Sequence, residues 1–241
     1  MKGVILAGGK GTRLYPLTNI TNKHLLPVGK EPMIFNPIKQ MVNCGIEEIL
    51  IVTSKEHMGE IVRVLGSGRD FGCNFTFKVQ EEALGVANAL LLAENFANGE
   101  PIVVILGDNI ATRSIKDYVD NFRNQHSGAR ILLRKVTDPE RYGIAALDER
   151  KIISIEEKPN QPKSDYAVIG IYMYDHYIFD YIKQIKKSDR GEFEISSANN
   201  IYIEKSQLEY DVLEGEWTDA GTFESYYYAN KILMNIDNNI I

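Results

Sequence analysis

The sequence predicts an α/β protein with a mostly parallel mixed sheet flanked by helices. Three observations carry that prediction. Apolar runs alternate regularly with segments of helical periodicity over the first 136 residues or so. Several of those runs end in polar or glycine-rich turns at Gly8–Arg13, Gln80 and Asp108, where sheets of this kind bind ligands. The chain has 241 residues and 44% hydrophobic content, enough for one sizeable core or two small ones.

Taken in order, "GVILAGG" reads as a short buried strand running into a turn. In "PMIFNPIKQMVNCG", Met33, Ile38, Met41 and Val42 have helical spacing; Pro32 suits the first helical position and Gly45 the C-terminal cap. "EEILIVTS" is a buried strand, and "EIVRVLG" puts Ile61, Val62 and Leu65 on one helical face. "NFTFKVQ" alternates as a strand with Phe75, Phe77 and Val79 in phase. "GVANALLLAENF" reads as one Ala- and Leu-rich helix, and "PIVVILGDN" as the most apolar strand of the chain. "SIKDYVDNF" is helical and "ARILLRKV" is a strand. Beyond about residue 137 strands dominate: "YGIAALD", "KIISIEEKP", "YAVIGIYMYD" and "LEYDVLEG". Helices are expected near Tyr177–Lys186, near Glu194–Lys205 and from Phe223 to about Asn235. No linker, repeat or low-complexity stretch divides the chain. The expectation is a single domain, 1–241, with a first half of about 1–137 and a β-rich half of about 138–241.

Charge and composition exclude several classes. The net charge of -6 lacks the basic surplus of a nucleic-acid binder. An anionic substrate would need a local basic site, helped by a metal ion. Cys44 and Cys73 form no CxxC pair, and His24, His57, His126 and His176 lack metal-ligand spacing, which argues against structural zinc. Two lone cysteines fit a reducing cytosol. No signal peptide precedes the first strand, and no apolar run approaches the ~20 residues of a membrane span, so a cytoplasmic protein with no membrane partner is expected.

The chemistry-bearing residues cluster in a few segments. "LAGGKGTRLYPLT" matches neither the G-x-G-x-x-G nor the G-x-x-x-x-G-K-[ST] template. Its glycines still let backbone N–H groups approach phosphate oxygens, and Arg13 offers a bidentate fork. A tight turn with a solvated arginine is the bland reading. Lys23, ten residues on, is a surface lysine by default, or a second basic contact to a polyphosphate. Asp108 sits past the most apolar strand, where a turn role competes with metal binding; Asp219 in "EWTDAGT" is either a helix N-cap or a second metal carboxylate. Glu157 and Lys158 in "IEEKP" read as an ordinary charged strand exit. Gln80 ends a strand, and its amide could pair with a nucleobase edge.

Read in order, "GVILAGGKGTRLYPLT", "NKHLLPVGKEPM", "VQ", "LGDN", "DPERYG", "EEKP", "YAVIGIYMYD", "GEFEI" and "WTDAGT" resemble the sugar nucleotidyltransferase family over nearly the whole chain, and within it the glucose-1-phosphate thymidylyltransferases. The resemblance implies a Rossmann-like nucleotidyltransferase fold with a smaller sugar-binding, β-rich portion. It implies direct in-line attack of glucose 1-phosphate on dTTP, giving dTDP-glucose and pyrophosphate with Mg2+ and no covalent enzyme intermediate. The implied nucleotide-binding set is Leu6, Gly8, Gly9, Gly11, Thr12, Arg13, Gln80, Gly85 and Asp108, with Arg13 on the departing phosphates and Gln80 and Gly85 on the base. Lys23 is implied near the reacting phosphates, and Asp108 and Asp219 on the metal. Lys158 is implied on the sugar phosphate, with Gly143, Glu157, Gly170 and Tyr172 around the sugar. Arg13, Lys23, Asp108 and Lys158 form the implied catalytic set.

The chain departs from the family pattern in places. Ile169 stands where a threonine is frequent, Ser197 where an aspartate is usual, and Leu84 beside the base pocket where a polar residue or glycine is frequent. Leu84 keeps a UTP-using uridylyltransferase as the nearest alternative. A catalytically silent nucleotide-sugar binder is disfavoured by the retained Arg13, Asp108, Lys158 and Asp219, and a dinucleotide-dependent oxidoreductase by the loop spacing. Assembly into a homo-oligomer is left open by the sequence.

Overall fold

The structure, a computed structural model, describes residues 1–149 and 151–238. In chain order its first elements are β1 (Lys2–Ala7), β2 (Pro27–Val28), β3 (Glu31–Pro32), α1 (Phe35–Asn43), β4 (Glu48–Ser54), α2 (Met58–Leu65) and β5 (Asn74–Gln80). Then come α3 (Val86–Leu91), α4 (Glu94–Ala97), β6 (Ile102–Leu106), β7 (Asn109–Ala111), α5 (Lys116–Gln125) and β8 (Ala129–Lys135). The chain continues with β9 (Gly143–Asp148), β10 (Lys151–Glu157), β11 (Tyr166–Tyr174), α6 (Ile178–Ile182), α7 (Ile195–Glu204), β12 (Leu208–Val212), β13 (Trp217–Asp219) and α8 (Phe223–Asn238). The mixed α/β architecture agrees with the sequence. Two compact units, each discontinuous in sequence, make up the chain.

The glycine-loop unit comprises Lys2–Ala83, Ile105–Lys116 and Glu214–Ile241. Its strands β1, β4 and β5 pair in parallel, with Ile5 opposite Ile51 and Ile51 opposite Phe77. Val4, Ile5, Ile49, Leu50, Ile51 and Val52 are fully buried, as expected of strands covered on both faces. In β5, Asn74, Thr76 and Lys78 are exposed, so that strand keeps the alternation seen in its sequence. Gly45 adopts φ 71° just past α1 and donates its N–H to Val42 O, closing the helix as expected. Pro32 does not start α1. It ends β3, and the chain turns through Met33 and Ile34, whose N–H groups donate to Leu26 O and His24 O, before the helix begins at Phe35. Those two hydrogen bonds pin the turn that precedes the helix, with Ile34 as its N-cap.

A small second core lies under the loops of this unit. Leu14, Leu26, Val28, Met33, Ile110, Ala220, Ala229 and Ile232 pack together and are all buried. Leu14 follows Arg13, Ile110 lies two residues past Asp108, and Ala220 follows Asp219, so packing at these positions fixes the charged residues beside them. Truncating such a side chain to alanine costs about 2–5 kcal/mol. Strands β7 and β13 pair antiparallel with Asn109 opposite Asp219 and Trp217 opposite Ala111. Asp219 therefore ends a strand and does not cap α8. Thr222 and Ser225 cap that helix: Ser225 N donates to Thr222 Oγ1 and Thr222 N to Ser225 Oγ.

The β-rich unit comprises Met1, Leu84–Val104 and Asp117–Leu213. Here β9 pairs antiparallel with β10 and β11, β11 antiparallel with β8, and β12 parallel with β8. The register of β11 against β8 shifts between Val168 and Tyr172, an interruption centred on Gly170. On α7, Asn200 plugs into β10: its Oδ1 accepts Ile155 N–H and its Nδ2 donates to Ile155 O. The segment read as one helix over 85–96 divides into α3 and α4, because Leu92 and Ala93 donate back three residues, to Ala89 O and Leu90 O. The helix expected over 177–186 is limited to α6. Among the described residues, no helix is long and apolar enough to cross a membrane.

Candidate active site

In the glycine-loop unit, β1 ends at Ala7 and the loop Gly8–Gly11 follows. Gly11 has φ 65° and opens a 3-10 turn over Thr12–Leu14, in which Leu14 N donates to Gly11 O at 2.9 Å. Thr18 Oγ1 donates to the same carbonyl at 2.8 Å. Glycine is required at this position twice over. A left-handed φ is costly for other residues, and a Cβ there would stand 2.9 Å from both Lys23 Cβ and Thr18 Cγ2. At Gly8 a Cβ would fall 2.3 Å from Gln80 Oε1, so the buried Gln80 amide lies directly against the loop backbone.

Lys23 runs beneath the loop, its Cε 3.6 Å from where a Gly9 Cβ would be. It belongs to a 3-10 turn, Lys23–Leu25, capped by Asn22. Asn22 Oδ1 accepts the His24 backbone N–H at 2.8 Å and also faces His24 Nδ1 at 2.7 Å. An amide oxygen only accepts, so Nδ1 carries the ring proton. Burial, then the adjacent Lys23 charge, pushes His24 down to about 3, which keeps the ring neutral. The turn thus contributes one positive charge, that of Lys23. Its Nζ lies 2.5 Å from Asp108 Oδ2.

Asp108 occupies the turn between β6 and β7. Gly107 precedes it and donates its N–H to Leu6 O; a Cβ at Gly107 would meet the His24 ring at 2.8 Å. Asp108 Oδ1 accepts Asn109 Nδ2 at 3.1 Å. Burial raises the pKa of this carboxyl, but the Lys23 charge and hydrogen bond outweigh burial and hold it well below the usual carboxylate range. Ala220 N donates to Asp108 O at 2.9 Å, which ties the Asp108 turn to the end of β13. Beside it, a Cβ at Gly221 would meet Arg13 Nη2 at 3.1 Å and Asp219 Oδ2 at 3.4 Å, so guanidinium and carboxylate converge on one spot. Arg13, Lys23, Asp108, Asp219 and Gln80 are therefore gathered in one unit, around the segment that runs from Leu6 in β1 through Gly8, Gly9 and Gly11 to Thr12.

The remaining expected residues lie in the β-rich unit. Gly143 and Glu157 are paired across β9 and β10, and a Gly143 Cβ would stand 3.1 Å from Glu157 Oε2. Lys158 takes a left-handed φ of 44° immediately before Pro159, an uncommon and strained conformation, and its N–H donates to Tyr142 O at 2.9 Å. Gly170 and Tyr172 share a face of β11; the buried Tyr172 ring stacks on Tyr174 at 5.8 Å. Gly85 has φ 101° before α3, with Phe193 O 2.6 Å from its would-be Cβ. Gln80 and Gly85 fall in different units.

Sequence reasoning missed several residues that shape these sites. Arg190 lies 3.6 Å from Glu157 and 3.2 Å from Glu194, and Glu194 also accepts Ser188 Oγ at 2.8 Å. Burial, then the Glu194 charge, raises the pKa of Glu157, with Lys158, Ser196 and Arg190 opposing. Asn22, His24, Gly107, Asn109 and Trp217 complete the surroundings of Asp108. All lie inside or beside the quoted motifs, but their roles come from packing that spacing does not reveal.

Among the described residues, no group of three or more His, Cys, Asp and Glu side chains is arranged to hold a metal ion by itself. Asp108 and Asp219 offer two hard oxygen donors, the number Mg2+ takes from a protein when substrate phosphates and water supply the rest.

Residues 2–235 match the family described as Nucleotidyl transferase. A glucose-1-phosphate thymidylyltransferase from Neisseria meningitidis is 40% identical over 99% of this chain and 84% of its own length. A Bacillus anthracis protein, provisionally named glucose-1-phosphate thymidylyltransferase and crystallised with sucrose, is 55% identical. It superposes with a TM-score of 0.92 over 96% of this chain and 94% of its own. A UDP-glucose pyrophosphorylase crystallised with UDP-glucose superposes at 0.86 with 25% identity, over 97% of this chain and 98% of its own.

Proposed function

Because the chain belongs to the nucleotidyl transferase family and is a sugar-1-phosphate nucleotidyltransferase, we propose that it transfers dTMP from dTTP to glucose 1-phosphate, giving dTDP-glucose and pyrophosphate. The observation that carries this reading is the convergence of Arg13, Lys23, Asp108 and Asp219 beside a glycine loop whose Gly11 has no room for a side chain. Two cations and two carboxylates on a backbone N–H loop suit a metal-bound triphosphate and little else.

In this reading a phosphate oxygen of glucose 1-phosphate attacks the α-phosphorus of dTTP in line. The bond from that phosphorus to the β-phosphate oxygen breaks, and pyrophosphate leaves. Arg13 binds the leaving phosphates through its planar fork. Lys23 releases Asp108 and turns to the phosphates at the reacting centre. Gln80, against Gly8, presents its amide to the thymine edge, and Gly85 lets the base approach the backbone. Lys158 holds the sugar phosphate, and Glu157 accepts hydrogen bonds from sugar hydroxyls near Gly143, Gly170 and Tyr172. Asp108 and Asp219 would hold Mg2+, which neutralises phosphate charge and orients the triphosphate when bound. No side chain is required as a nucleophile.

The unit of function is the whole chain, 1–241, as a single nucleotidyltransferase domain. The buried Cys44 and Cys73 fit a reducing, cytoplasmic setting. A second reading, uridylyl transfer from UTP, draws support from the likeness to the UDP-glucose pyrophosphorylase and from Leu84 next to Gly85. The ratio of kcat/KM for dTTP and UTP with glucose 1-phosphate tests the choice. A clear preference for dTTP is expected; a preference for UTP replaces the first reading with the second.

A further inference from the structure

Two carboxylates at the ends of short strands, Asp108 just before β7 and Asp219 closing β13, need something to hold them in place, and the β7–β13 ribbon shows what does so. Side chains alternate along a strand, so Trp217 and Asp219 share one face of β13. Asn109 stands directly across from Asp219. Trp217 is therefore its diagonal neighbour on the same face, within reach of a large ring. The contact is made: Trp217 Nε1–H donates to Asn109 Oδ1 at 2.8 Å, with Asn109 only 3% and Trp217 7% exposed. An indole N–H only donates, so it fixes which end of the amide is oxygen. The Nδ2 end is then turned to Asp108, where it donates to Oδ1 at 3.1 Å. Oδ2 is left to Lys23.

We propose that Trp217 and Asn109 form a positioning relay that sets the rotation of the Asp108 carboxylate for divalent-cation binding. Trp217 acts only through Asn109. With the indole N–H removed, Asn109 Oδ1 loses a donor that fixes the amide's orientation, and any population of the flipped amide sets two oxygens facing each other at Asp108, which repel. The consequence falls on metal affinity, because partners that orient a ligating carboxylate contribute about 10–100-fold to it. The relay rests on the reading of Asp108 as a metal ligand given above.

The test is a double-mutant cycle read by Mn2+ binding. Wild type, Trp217→Phe, Asn109→Leu and the double variant are titrated with Mn2+ in the presence of α,β-methylene thymidine triphosphate, and free Mn2+ is followed by electron paramagnetic resonance. Trp217→Phe keeps an aromatic ring at the position and removes the indole donor, and is expected to weaken Mn2+ binding about 10-fold. Asn109→Leu weakens it at least as much, and the double variant no further than Asn109→Leu. The KM for glucose 1-phosphate stays unchanged in Trp217→Phe. Additive losses in the double variant, or unchanged Mn2+ affinity in Trp217→Phe, overturn the relay. Should Trp217→Phe fail to fold, unchanged Mn2+ affinity in Asn109→Leu overturns it alone, and weakened affinity supports it. Absence of Mn2+ binding by the wild type in the presence of nucleotide defeats the underlying metal reading instead.

Discussion

Lys23 Nζ lies 2.5 Å from Asp108 Oδ2, in a pair whose side chains are 10% and 14% exposed. Both residues are proposed to act on substrate, one on phosphate and one through a metal ion, yet without ligand each satisfies the other. Removing one partner leaves a largely desolvated charge, whereas removing both does not. Lys23→Met is expected to lower stability by about 1–3 kcal/mol. Adding Asp108→Asn is expected to recover part of that loss. Urea midpoints of the two variants check this, and a double variant less stable than Lys23→Met contradicts it.

The Asp108 carboxylate also tests the chemistry. Asp108→Asn keeps the size and the contact with Asn109 but removes the charge. It is expected to reduce kcat by about 10²–10³ or more. Near-normal turnover in Mg2+ would remove Asp108 from the metal assignment.

Lys158 holds a left-handed φ of 44°, which a residue with a Cβ adopts at a cost. Comparing Lys158→Gly with Lys158→Ala separates backbone from side chain. Both are expected to raise KM for glucose 1-phosphate far more than KM for dTTP. Lys158→Gly is expected to be the more stable by about 1 kcal/mol. Equal stability of the two variants would show that the conformation relaxes without cost.

Glu157 supplies a pH dependence. Its pKa is raised in the folded protein, first by burial and then by Glu194, so the folded state holds this proton to a higher pH than the unfolded chain. The stability this contributes is fully present below the unfolded value of about 4.3 and is lost as pH rises through the raised folded value. Glu157→Gln keeps the neutral form at every pH. Relative to wild type it is expected to gain stability as pH rises through that window, measured by urea midpoints from pH 4 to 7. A difference independent of pH would contradict the assignment.

Much of this architecture was legible in the sequence. The strand at residues 74–80 is clear because apolar side chains alternate along it, and the strand at 48–54 because Ile49 to Val52 form a continuous apolar run of strand length. The glycine loop and Arg13 could be picked out because phosphate chemistry needs those residue types in a turn at a strand end, whereas Lys23 and Asp108 acquired their implied roles from the family resemblance. The three-residue strands β7 and β13 could not be picked out, since three residues carry no period, and without that ribbon a helix cap competes with a metal carboxylate as the reading of Asp219. Pro32 misled because a first-turn preference was overridden by backbone hydrogen bonds from Met33 and Ile34. Asn109 and Trp217 escaped notice as functional positions because they are partners 108 residues apart, and His24 because its place against Gly107 is set by the fold.

Pyrophosphate release by the purified wild-type protein, measured in Mg2+ over a matrix of nucleoside triphosphates and sugar 1-phosphates, tests the central claim most directly. The predicted result is fastest release with dTTP and glucose 1-phosphate and none when either substrate is omitted. Absence of pyrophosphate with every pair would contradict the assignment of Arg13, Lys23, Asp108 and Asp219 to nucleotidyl transfer.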